Sequence, residues 1–168
     1  MDIQTKAISS KAWFSECEQY RYTLIREFTD SSGILNFIML NPSTATEQFN
    51  DPTVNRCEDL TLHLGFKYMA VTNIFAFRST DPANLKKLKE KSIGLENNKA
   101  ILQTAKQANM VICAWGNHGA FLDRGKEVLK MLNKNGIKLF ALKINESGQP
   151  AHPLYLRKDL NPFLFFNN

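Results

Sequence analysis

The feature that most constrains this chain is an apolar run, Phe37-Ile38-Met39-Leu40, that stops at Asn41-Pro42-Ser43 and opens into a polar loop reaching Asn50-Asp51-Pro52. A continuous apolar run bounded by turn residues reads as a strand buried on both faces, since no polar residue alternates with the apolar ones to meet water. Similar runs recur at residues 67–77, 110–115 and 137–142, and the first two of these again end in polar clusters, Arg78-Ser79-Thr80-Asp81 and Gly116-Asn117-His118-Gly119. Helical patterns separate them. Asp51-Pro52 supplies an N-cap acceptor followed by proline at the first helical position, the apolar residues Val54, Cys57, Leu60, Leu62 and Leu64 follow, and Gly65 ends the segment. Asp81-Pro82 repeats the signal ahead of a short basic helix carrying Lys86, Lys87, Lys89 and Lys91, which reads as a solvated face. Further helices are expected over 96–109 and 121–133. Alternating strands and helices with short connections predict an α/β fold: a three-layer α/β/α sandwich on a central, mostly parallel four-stranded sheet. Residues 21–28 alternate and are followed by Asp30-Ser31-Ser32-Gly33, which predicts a hairpin feeding the 34–40 strand and hence an antiparallel edge.

With 168 residues and no low-complexity linker or internal repeat, the whole chain, 1–168, is expected to be a single domain. The net charge of +5 favours a polyanionic partner without establishing one. Cys17, Cys57 and Cys113 are odd in number and widely spaced, which argues against a disulfide framework or a metal cluster and for a reducing, cytoplasmic location. No segment approaches the about 20 apolar residues of a membrane span, and no signal peptide is recognisable.

In a parallel sheet the carboxyl ends of the strands share one rim, so the polar clusters at Asn41, Asn73 to Arg78 and Gly116 to His118 are expected to converge there. Familiar chemistries do not fit them. The chain has no glycine-rich phosphate loop, Ser43 sits in no nucleophile elbow, and His63, His118 and His152 lack metal-ligand spacing. Any chemistry must use amides, carboxylates and a histidine, with neither metal nor cofactor.

Taken in order, Asn41-Pro42-Ser43, Asn73 within VTNIF, VICAWGNHG at 111–119 and His152-Pro153-Leu154 resemble the motif series of the uracil-DNA glycosylase superfamily. The pieces NPSTA, NDPTVNR, AWGxHG and HPLYL also resemble a domain-of-unknown-function family found in bacteria and phages, over nearly the whole length. The first resemblance implies that Asn41 positions a water beneath C1′, as an amide does in the mismatch-specific branch, and that His152 hydrogen-bonds the base oxygen where charge develops. Asp51 either supplies the missing base or simply caps its helix. Asn73 either reads a pyrimidine edge or satisfies backbone at a strand end. Phe49 and Phe75 are candidates for stacking on an extruded base, or core residues. Leu154 or Tyr155 would act as the wedge that base extrusion requires, with Thr44, Arg78, His118, Arg157 and Lys158 near the DNA backbone.

Two departures bear on the substrate. Uracil-specific enzymes carry a bulky tyrosine where Ser43 follows Pro42, and a serine where Leu154 stands. A small residue beside C5 leaves room there, so the expected substrate is a 5-substituted pyrimidine, such as a hypermodified phage base, in double- or single-stranded DNA. The expected protein is a monomeric glycosylase using water as nucleophile, in phage defence or base-modification metabolism. A non-catalytic nucleic-acid or nucleotide sensor on the same scaffold, an N-glycosidase acting on free nucleotides, and a plain interaction module are the alternatives.

Overall fold

The structure, a computed structural model, describes residues 3–28 and 31–166. Strands β1 (Ile3–Gln4), β2 (Ser9–Phe14), β3 (Arg21–Glu27), β4 (Ser32–Met39) and β5 (Phe49–Asn50) precede helix α1 (Pro52–Leu64). Strand β6 (Phe66–Asn73), helices α2 (Ala83–Leu88) and α3 (Asn97–Gln107), strand β7 (Met110–Cys113), helix α4 (Arg124–Lys134) and strands β8 (Leu139–Ala141) and β9 (Phe163–Phe166) follow. Seven strands form one sheet in the order β2-β3-β6-β4-β7-β8-β9, and β1 pairs with β5 in a separate ribbon.

The fold is α/β, but the sheet is mixed. β6, β4, β7 and β8 run parallel in its centre, while β2 with β3, β3 with β6, and β8 with β9 are antiparallel. The sequence reading misses β2, in the segment before residue 20, and β9, in the tail. The expected hairpin between 21–28 and 34–40 is also corrected: β3 pairs with β2 and β6, and β6 lies between β3 and β4. The reason lies in β4, whose residues Leu35 to Met39 are all buried. A strand apolar on both faces needs neighbours on both edges and a helix layer on each side, so it takes the centre and the less apolar β3 is displaced outward. Asp30, part of the turn signal, lies outside the described residues.

Alternation along β4 splits the core in two. Leu35, Phe37 and Met39 pack with Met69 and Val71 against Val54, Cys57 and Leu60 of α1. Ile38 and Leu40 face the other way, with Val111 and Cys113, toward Ile101 and Ala105 of α3 and Val128 and Leu132 of α4. Helix α1 begins and ends as its sequence predicts: the Asp51 Oδ1 accepts the Val54 N–H at 2.8 Å, Pro52 occupies the first turn, and Gly65 closes the helix at φ 79°. Helix α4 starts later than its pattern predicts, because Leu122 and Asp123 adopt left-handed backbone at φ 57° and 52°. That kink turns Arg124 inward, where its Nε donates to the Ile74 carbonyl at 2.7 Å and its Nη2 to Asn98 Oδ1 at 2.7 Å.

Candidate functional site

A cavity of about 560 Å³ opens where the parallel strands end. Its walls come from the loop after β4, the start of α1, the end of β6, the loop after β7 and the His152 loop, and they include Asn41, Ser43, Asp51, Asn73, His118 and His152. The rim expected from strand direction is therefore where polar groups remote in sequence meet.

Asn41 is held by its amide nitrogen. Nδ2 donates to the carbonyls of Ser79 at 2.9 Å, Pro42 at 3.1 Å and Phe77 at 3.4 Å. Only the NH2 end of an amide can face carbonyl oxygens, so the side chain has one orientation and Oδ1 is the acceptor it offers at the cavity. Asp51 uses one of its two carboxylate oxygens in the fold. Oδ1 caps α1, while no hydrogen bond to Oδ2 is found among the described residues, and the carboxylate lines the cavity next to Thr53 and Val54.

Asn73 closes β6 with 1% of its surface exposed, and its Nδ2 has no hydrogen-bond partner among the described residues. The backbone around it is fixed from the opposite layer: Asn97 Nδ2 donates to the Asn73 carbonyl at 2.7 Å and to that of Ile74 at 3.2 Å, beside the Arg124 contact. Leaving that buried donor unmet costs free energy in a dry site.

His152 sits in a loop tied to the body at three points. Gly116 N–H donates to the Pro150 carbonyl and Ala151 N–H to that of Lys143, each at 2.8 Å, and Arg56 Nη2 donates to the Leu156 carbonyl at 2.7 Å. The His152 Nδ1 accepts the Leu154 N–H at 3.4 Å. With Nδ1 an acceptor, the neutral ring carries its proton on Nε2, which becomes a donor. Burial pushes the His152 pKa below its ordinary value, and the Asp51 carboxylate opposes that without reversing it. Leu154 and Tyr155 follow on a short 3-10 turn, Pro153–Tyr155, at the cavity mouth, with Tyr155 93% exposed.

The sequence reading missed Arg21. Strict alternation puts Tyr22 with Leu24 and Arg21 on the opposite face. A bulge intervenes: Trp13 pairs with Thr23 but Phe14 with Arg21, leaving Tyr22 extra. Tyr22 and Thr23 therefore both face α3, in a cleft with Glu96 and Ala100, and Arg21 is turned into the cavity. It is 1% exposed, its Nη1 donates to the Ala45 carbonyl at 3.1 Å, and its Nε has no partner. Burial pulls its pKa down to about 10, with Asp51 the leading opposing charge. No local sequence signal marks the bulge.

Other sequence candidates lie elsewhere. Phe49 is one of the two residues of β5, pairs with Gln4 of β1, and lines a separate surface cleft with Gln4 and Gln48. Phe75 is fully buried against the Phe121 ring, centroids 5.8 Å apart. Thr44 is exposed beside the cavity without lining it. Arg78 lies over the Phe14 ring and donates to the Glu18 carbonyl at 3.0 Å. Arg157 grips Asp159 through two bonds, of 3.0 and 2.6 Å, and Lys158 is exposed. Trp115 is buried and also forms a cavity wall, its Nε1 donating to Gln149 Oε1 at 2.8 Å.

Among the described residues no group of three or more His, Cys, Asp or Glu side chains is arranged to hold a metal ion, and no helix is long and apolar enough to cross a membrane. Fold and cavity together define an α/β domain with a polar recess at the carboxyl rim of its parallel strands. Residues 21–154 match the family described as "Protein of unknown function (DUF1643)", and the chain belongs to that family. No curated protein and no solved structure matches the chain. The matched span begins at Arg21 and ends at Leu154, so it encloses every cavity residue except Tyr155.

Proposed function

We propose that this protein is a monofunctional DNA glycosylase that extrudes a 5-substituted pyrimidine nucleotide and hydrolyses its N-glycosidic bond with water. The observation that carries this reading is the meeting of Asn41, Asp51, Asn73 and His152 in one cavity of about 560 Å³, a volume in the usual range for small-molecule sites. In the reaction the C1′–N bond breaks, its electron pair stays on the base, and a water oxygen bonds to C1′. The His152 Nε2–H donates to the base oxygen where that charge gathers, and a neutral imidazole does so without surrendering its proton. Asn41 Oδ1 orients the water, the free Asp51 oxygen accepts the proton it loses, and Asn73 reads the base edge. Leu154 and Tyr155 fill the gap in the stack, which costs on the order of a few kcal/mol to open. Ser43 leaves space at C5, and Lys158 with the net charge of +5 serves the DNA backbone.

Excision assays on duplexes carrying uracil, mismatched thymine and bulky 5-substituted cytosines test this. Abasic sites are expected from the 5-substituted bases and are expected to fall by about 10²-fold or more in Asn41→Ala and His152→Ala. Release of uracil alone contradicts the substrate assignment. One observation favours a second reading, a sensor that binds the extruded base without cutting: both reacting side chains also serve the fold, Asn41 by bridging backbone and Asp51 by capping α1. A sensor binds the same duplexes and yields no product from any of them. A nucleotide N-glycosidase needs no wedge, and in that case Leu154→Ala leaves activity intact.

A further inference from the structure

We infer that the cavity floor holds an anion subsite built on Arg21, and that the group it receives is a carboxylate carried by the ligand's ring. The inference rests on the base-extrusion reading for which ligand bears that carboxylate, and on the geometry alone for the subsite. Of the guanidinium's donors, one bond is made, from Nη1 to the Ala45 carbonyl at 3.1 Å, and the buried Nε has no partner. No carboxylate lies within ion-pair distance of Arg21 among the described residues, whereas the other two fully buried arginines each have one, Arg26 with Glu58 at 3.7 Å and Arg124 with Glu127 at 3.2 Å. Asp51 acts on Arg21 only across a gap. A buried guanidinium with unmet donors and no contacting counter-charge is unfavourable for folding, so an arginine kept there through a strand bulge has its missing partner outside the chain.

Three features narrow that partner. Arg21 is 1% exposed, so backbone phosphates of DNA, which would meet the exposed His118 at the rim, do not reach it. Its one bond anchors it to Ala45, beside the Ser43 segment that leaves space for a ring substituent. Asn73 adds a second unpartnered donor to the same cavity. Arg21 and Asn73 thus present two unpartnered donors to one cavity, and the planar guanidinium fork matches a planar carboxylate through two parallel bonds.

The test uses the full chain and fluorescence anisotropy with oligonucleotides bearing one pyrimidine whose C5 group is carboxylate, carboxamide or methyl. Carboxylate and carboxamide have the same shape and differ in charge, so the native protein suffices. Binding of the carboxylate is expected to be at least about tenfold tighter than that of the carboxamide, as a charge-assisted pair warrants, and Arg21→Met is expected to remove the difference. Equal or tighter carboxamide binding by the native protein overturns the subsite. A carboxylate preference without release of any base upholds the subsite and overturns the glycosylase reading. Release of neutral 5-substituted bases without that preference does the reverse.

Discussion

Arg26 and Arg21 stand on the same strand, both shut away from solvent, and the chain treats them in opposite ways. Arg26 donates to Ser10, to the carbonyls of Thr46 at 2.8 Å and Glu47 at 2.5 Å, and to Asn50 Oδ1 at 2.7 Å, with Glu58 as its counter-charge. Glu58 in turn accepts from Thr5 at 2.8 Å and Asn50 Nδ2 at 2.9 Å, and from the Lys6 N–H. That closed network pins residues 46–50, the stretch that leads the chain from Asn41 round to Asp51. Arg21 makes one bond and faces the cavity. A buried charge with several bonds and a contacting counter-charge shapes the chain, while one with a single side-chain bond and no counter-charge in contact is held ready for a ligand.

The largest effect should come from breaking the closed network. Glu58→Ala leaves Arg26 buried without its counter-charge and is expected to cost about 3–5 kcal/mol in urea unfolding. Arg21→Met, removing an equally buried charge of similar volume, is expected to cost under about 1 kcal/mol or to stabilise, as groups kept for function commonly do when replaced. If Arg21→Met costs as much as Glu58→Ala, the contrast between the two arginines is false. Next in size is Gly119→Ala. A Cβ there would overlap the Trp115 indole, and the overpacking is expected to cost about 1–3 kcal/mol by the same measurement and to loosen the cavity wall. Asp51 comes third: Asp51→Ala is expected to lose about 1 kcal/mol with the helix cap, whereas Asp51→Asn keeps the cap. Excision that survives Asp51→Asn makes the carboxylate a cap alone; excision lost with stability unchanged makes it the proton acceptor.

The smallest effect is one of pH. His152 titrates below its ordinary value in the folded protein, so near pH 6.5 and below the unfolded chain binds more protons there than the native state does. Its contribution to stability is full above that ordinary value and is lost as the pH falls through the lower folded one. The stability difference between native protein and His152→Asn, followed by urea unfolding from pH 8 to 4.5, should shrink on the acid side. Excision should decline over the same window as the imidazole becomes charged.

Much of this arrangement is written locally. Asp51-Pro52 and Gly65 bound α1 by short-range capping chemistry, and the apolar run stopping at Asn41 marks a strand end whatever its neighbours are. Strand direction alone then brings Asn41, Asn73 and His118 to one rim, while His152 reaches it through the loop after β8, held by the Gly116 and Ala151 backbone bonds. Strand adjacency is not local. Nothing within residues 21–28 says that β6, rather than β4, will pair with them, since that choice depends on β4 needing cover on both sides. Arg21 escaped for a related reason: a one-residue bulge reverses which face a side chain takes, and the bulge is a property of the β2–β3 pair, not of either strand. The same holds for Phe75, whose side chain points to the α3 and α4 layer once the chain bends after Asn73.

The central claim is that one extruded base occupies the cavity, and a crystal structure of the protein with DNA carrying a non-hydrolysable 5-substituted 2′-fluoro nucleotide tests it most directly. The account predicts that base inside the recess, its edge within hydrogen-bond distance of Asn73 Nδ2 and His152 Nε2, with Leu154 or Tyr155 in the vacated stack. A base still stacked in the DNA above an empty recess, or bound anywhere else on the surface, would contradict it.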